Sequence, residues 1–144
     1  MPRDGDAAGN ALLEALDAAR GVRRAGNGLV MVLLRGNEIA AIVHEQIDAP
    51  IRSIIGAIAS ALGTDHAVLI VVGSMRVSGA IIRACDLAGE RLTSAGVVVA
   101  ARVHVSALTE GAVAWKDLSD TAQDGILPAA HRVRPTGSFR LRRL

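Results

Sequence analysis

Two runs of six consecutive apolar residues, 29–34 (LVMVLL) and 67–72 (AVLIVV), break the otherwise spaced pattern of apolar positions along the chain. A strand with one wet face alternates, so unbroken runs of this length predict strands buried on both faces. After the first run, Gly36-Asn37 forms a two-residue turn signal, and apolar residues resume at 39–47. That arrangement predicts a β-hairpin. The second strand turns polar at His44, Glu45 and Gln46. Asp48-Ala49-Pro50 then stops it and starts a helix, with Asp48 near the cap.

Three stretches carry helical spacing. Residues 11–20 place Leu12, Leu13, Leu16 and Ala19 on one side, with Asn10 as the expected N-cap. Residues 51–62 align Ile51, Ile54, Ile55, Ile58 and Leu62, and Gly63 closes that helix. After Gly73-Ser74, a third helix aligns Ile81, Ile82, Cys85, Ala88 and Leu92 and stops at Gly96. A strand is expected at 97–105 and a shorter one at 112–116, while 118–128, rich in Asp, Gly and Pro, reads as loop.

Two strand–helix–strand crossovers imply parallel neighbours. The expected fold is therefore α/β: a single mixed, mostly parallel sheet of 4–5 strands, with an N-terminal β-hairpin and helices packed on its faces. The expected organisation is an arm at 1–10, one domain at 11–130 and a tail at 131–144.

Composition narrows the function classes. Apolar residues make up 51% of the 144 and charged ones 21%, enough for a core and too apolar for a disordered chain. Trp115 and Phe139 are the only aromatics, too few for a surface that stacks single-stranded bases. All basic residues but Lys116 are arginine, a bias that fits a GC-rich genome. One cysteine, Cys85, excludes an internal disulfide and points to a reducing, cytoplasmic setting. No signal-peptide core is visible, and the apolar runs are far too short for a membrane span. The net charge of +2 hides a division. Residues 1–130 hold eleven basic and fourteen acidic side chains, a net −3, whereas 131–144 hold five basic and no acidic ones, +5.

The segment running from Leu12-Leu13 through Gly21-Val22-Arg23 and residues 29–34 to Asp48-Ala49-Pro50 resembles the opening of the actinobacterial "domain of unknown function 4192" family. The AVLIVV run, the SAGVVV ending of the third helix and the short strand with Trp115 extend the resemblance over 11–128. The chain departs from the family at Arg24, where a proline is usual, and lacks the cysteine-bearing stretch after the tryptophan. The resemblance implies a minimal or phage-borne version of the family and an α/β fold. It implies no activity.

No nucleophile elbow, phosphate loop, zinc-protease helix, paired-cysteine site or dinucleotide fingerprint is present. No cofactor is expected and no metal site, because His44, His66, His104 and His131 fall on separate elements. Asp48, Ser74, Arg76 and Ser106 are expected near the carboxyl ends of the parallel strands, where open α/β sheets bind ligands. On the plainer reading, Asp48 and Ser74 cap helices and Arg76 is solvated. Cys85, four residues after Ile81 in an apolar stripe, is expected in the core. Trp115 is expected to pack on the sheet edge or to line a partner surface.

The tail carries Arg132, Arg134, Arg140, Arg142 and Arg143, interleaved with Phe139, Leu141 and Leu144. It reads as a solvated end, as a contact to nucleic acid or an acidic partner, or as a strand added to a neighbouring subunit. The leading expectation is a non-catalytic binding or assembly module, possibly a homo-oligomer. The alternatives are a small-ligand-binding domain or small enzyme using the strand-end cleft, and a polyanion-binding accessory protein acting through the tail.

Overall fold

The computed structural model describes residues 4–20, 28–45, 54–74, 78–109, 111–118 and 124–129. Helix α1 (Asp4–Ala19) leads into the hairpin β1 (Gly28–Arg35) and β2 (Glu38–Glu45). Helix α2 (Ile55–Ala61), strand β3 (His66–Val72), helix α3 (Ser78–Ser94) and strand β4 (Val98–Val105) follow. Strands β5 (Val113–Asp117) and β6 (Asp124–Leu127) complete the order. Gly36, with φ 61°, supplies the left-handed turn of the β1–β2 hairpin.

The six strands form one sheet in the order β2-β1-β3-β4-β5-β6. Only β3 and β4 are parallel; every other neighbouring pair is antiparallel. This corrects the expectation of a mostly parallel sheet of four to five strands. The direction of β2 and β3 is shared, as a crossover through α2 requires, but β1 lies between them. The physical reason is burial. All of Gly28–Leu34 and Ala67–Val72 is buried, and such strands need a neighbour on each side and cover on each face. Setting β3 beside β2 would leave the wholly apolar β1 at an edge. The edge is taken instead by β2, whose described side chains are only half-buried or exposed. Its ladder carries an extra residue, Ala40, opposite the Leu33/Leu34 step. Such a bulge bends an edge strand away from further pairing.

Two apolar layers sandwich the sheet. Leu12, Ala15, Leu16 and Ala19 of α1 cover one face, meeting Val30, Val32, Val68, Ile70, Val103, Val113 and Leu127. On the other face, α2 and α3 bring Ile55, Ala59, Ile81, Cys85, Ala88 and Leu92 onto Leu29, Met31, Leu33, Leu69 and Val71. At the end of α1, the nearly buried Arg20 donates from Nη2 to the Pro128 carbonyl across 2.8 Å, tying the helix to the end of β6.

Three local expectations are also corrected. Helix α1 begins at Asp4, so Asn10 lies inside it rather than capping it, and the segment read as an arm is largely helical. Helix α2 runs Ile55–Ala61, and Ile54 is 55% exposed rather than part of the buried stripe. Strand β6 lies within the stretch read as loop. Among the described residues, no helix is long and apolar enough to cross a membrane.

Candidate functional site

The sheet is covered unevenly. On the α2–α3 face, the helices rest on β1, β3 and β4. The register carries that face on through Arg102 and His104 of β4, Ala114 and Lys116 of β5, and Asp124 and Ile126 of β6. There Ala114, Lys116, Asp124 and Ile126 are exposed, Ile126 at 66%. A groove of about 580 Å³ follows this open surface, lined by His104, Ser106, Ala114, Lys116, Asp124 and Ile126 among others. A second groove of about 920 Å³ adjoins it along β4, between Asp86, Glu90 and Thr93 of α3 and Arg102 of the strand. Arg102 donates to Asp86 across 2.9 Å and fastens α3 to β4.

His104 fixes the upper end of the open face. Its Nε2 donates to the Gly73 carbonyl across 2.8 Å, since a carbonyl can only accept. The Gly73 N–H in turn donates to the Val105 carbonyl, continuing the ladder past the strand ends. Trp115 anchors β5 from the α1 side, half-buried against that core. Its indole lies so close over β6 that a Cβ at Gly125 would sit 2.6 Å from its Cζ2. Among the described residues, the Trp115 Nε1 is buried without a hydrogen-bond partner.

Ser74 and Ser106 follow the carboxyl ends of β3 and β4, the one parallel pair, and both are exposed. Only Ser106 lines the groove over β4–β6. Asp48 and Arg76 lie outside the described residues, as do Arg132, Arg134, Phe139, Arg140, Arg142 and Arg143. Of the four residues expected at the strand ends, two thus lie within the described residues and two outside them. The open face of β4–β6 was missed because Asp124 and Ile126, which form its outer wall, lie in the stretch read as loop. The apolar pair Ile126-Leu127, directly after Asp124-Gly125, was the available signal.

Two titratable groups are visibly tuned. Asp65 receives the Gly36 N–H on both carboxylate oxygens, at 3.2 and 3.0 Å, and lies 2.7 Å from the His66 Nδ1. The hydrogen bond from His66, followed by that from Gly36, holds its carboxyl below the ordinary value of 3.8. The half-exposed pair joins the hairpin turn to the start of β3. Burial pushes the Cys85 thiol up to about 12, with Arg102 opposing and Asp86 reinforcing the shift. A thiol so reluctant to ionise is a poor nucleophile and a core residue, as its place in the α3 stripe indicates. Among the described residues, no group of three or more His, Cys, Asp or Glu side chains could hold a metal ion.

Set against protein-family models, curated proteins and solved structures, the chain matches none of them.

Proposed function

We propose that the protein is a binding or assembly module whose contact surface is the open face of β4, β5 and β6. The observation that carries this reading is Ile126. Among the described residues it is the most exposed of the large hydrophobic side chains, and it stands in a groove beside Ala114, with His104, Lys116 and Asp124 around them. An apolar centre with a polar rim is the anatomy of a protein contact. A reducing, cytoplasmic setting belongs to the same proposal, supported by the single cysteine, Cys85, being buried. So does kinship with the "domain of unknown function 4192" family, which rests on the sequence motifs and adds no activity.

Panning a random-peptide display library against the intact protein and against Ile126→Asp tests the reading. Peptides enriched on the wild type and lost on the variant support it. Enrichment that ignores Ile126→Asp, or that disappears instead with Ser74→Ala, overturns it.

A further inference from the structure

We infer that the partner of the open face is a second copy of the chain, packed sheet against sheet about a twofold axis that lies between β5 and β6. The inference rests on the open face being a contact surface, and three observations lead to this occupant.

The first is the arrangement of charge. Lys116 of β5 and Asp124 of β6 are direct cross-strand partners, and both are exposed. Neither belongs to an ion pair among the described residues. The second is the arrangement of size. Two positions along the same ladder, Ala114 stands opposite Ile126, and both are again exposed. The four side chains thus form a rectangle: a cation beside an anion, and a small apolar residue beside a large one. Its sides are about 5 Å between the strands and about 7 Å along them. Half a turn about an axis parallel to β5 and β6 and midway between them carries β5 of one copy over β6 of the other. Lys116 then faces Asp124 of the second copy, and Ile126 faces its Ala114. In such an isologous contact each pairing occurs twice. Opposite charges meet, and a large side chain lies over a small one, as interdigitating layers require.

The third observation removes the competing route to a dimer. Strand β6 is an edge strand, and an edge offers its backbone to a neighbour. This one is only four residues long, and Pro128, which has no N–H to donate, follows it directly. The edge is blunted while the face is open. Four central residues are far fewer than the roughly 20–30 a side of a standard interface, so the association is weak and shows at high concentration.

Sedimentation equilibrium of the full-length protein over a wide concentration range tests this. The wild type should pass reversibly from monomer to dimer. Lys116→Asp and Asp124→Lys each set like charges face to face, and each should weaken the dimer by about tenfold or more. Mixing the two variants should restore association, because each then meets its opposite. The double variant, with the wild type's net charge, should self-associate as the wild type does. A wild type that stays monomeric up to its solubility limit overturns the proposal. So does a dimer indifferent to both reversals, which then lies elsewhere on the molecule. Loss in both variants without recovery in the mixture and the double variant overturns it too. A monomeric wild type that still selects peptides through Ile126 keeps the contact surface and assigns it to a different protein, so the two readings fail separately.

Discussion

Strands β1 and β4 are each eight residues long, yet they meet their surroundings differently. Every residue of β1 except the terminal Arg35 is buried, whereas in β4 only Val103 and Val105 are. The difference lies in what covers them. Strand β1 has a neighbour on each side and helices on both faces. Strand β4 marks the boundary: α1 covers one of its faces, the edge of α3 reaches the other, and beyond it β5 and β6 have no helix on that side among the described residues. One sheet thus has a half built for stability and a half with a face to spare. The lesson is that the alternation Arg102, Val103, His104, Val105 records a strand with one open face, and that face is where a contact surface can exist without removing anything from the core.

The largest effect expected from this contrast comes from paired substitutions. Leu69→Ala, in β3 beneath α3, should cost about 2–5 kcal/mol through lost transfer energy and a cavity. Ile126→Ser should stay within about 0.5 kcal/mol. Urea denaturation of both variants checks it, and similar losses at the two positions would abolish the distinction between the halves. The next effect sits at the seam. Gly125→Ala sets a methyl against the Trp115 ring and should cost about 1–3 kcal/mol by overpacking. The Trp115 emission should shift to longer wavelength as the indole is pushed outward. An unchanged spectrum and melting curve would mean that β5 and β6 are loosely joined.

The smallest effect belongs to Cys85. Cys85→Ala should lower stability by about 1 kcal/mol, and thiol reagents should modify the native protein only as fast as it opens. Because the folded thiol is raised from 9.0 to about 12, the unfolded chain loses its proton first. This contribution is intact below pH 9 and stability should fall as the pH climbs from there towards 12. Denaturation midpoints across that window check the sign. Prompt alkylation of the folded protein would show the α3 side of the core to be open.

The sequence disclosed the covered half better than the open one. Residues 29–34 and 67–72 announced two-sided burial, Gly36-Asn37 announced the hairpin, and Cys85 announced its place through its helical stripe. Each of these is a local pattern with one dominant cause. Strand order is not local. Nothing within β2 or β3 states that β1 will lie between them; that follows from comparing how much edge each strand can tolerate. Strand β6 was illegible for a related reason. Asp124-Gly125-Ile126-Leu127 has little strand preference of its own, and pairing with β5 makes it a strand. The candidate site inherited that blindness, since Asp124 and Ile126 form its outer wall.

The bond between Arg20 and the Pro128 carbonyl spans 108 positions, and this matters while the protein is being made. Helix α1 leaves the ribosome before every strand it packs on, and part of its seat, Val113 and Leu127, emerges only with β5 and β6. The nascent chain therefore carries Leu12 and Leu16 without their complete shelter until β6 has emerged, a long-range closure of the kind that slows folding. Among the described helices, the earliest translated is the last to find its full seat. A chain stalled before residue 124 presents that apolar stripe to chaperones and proteases.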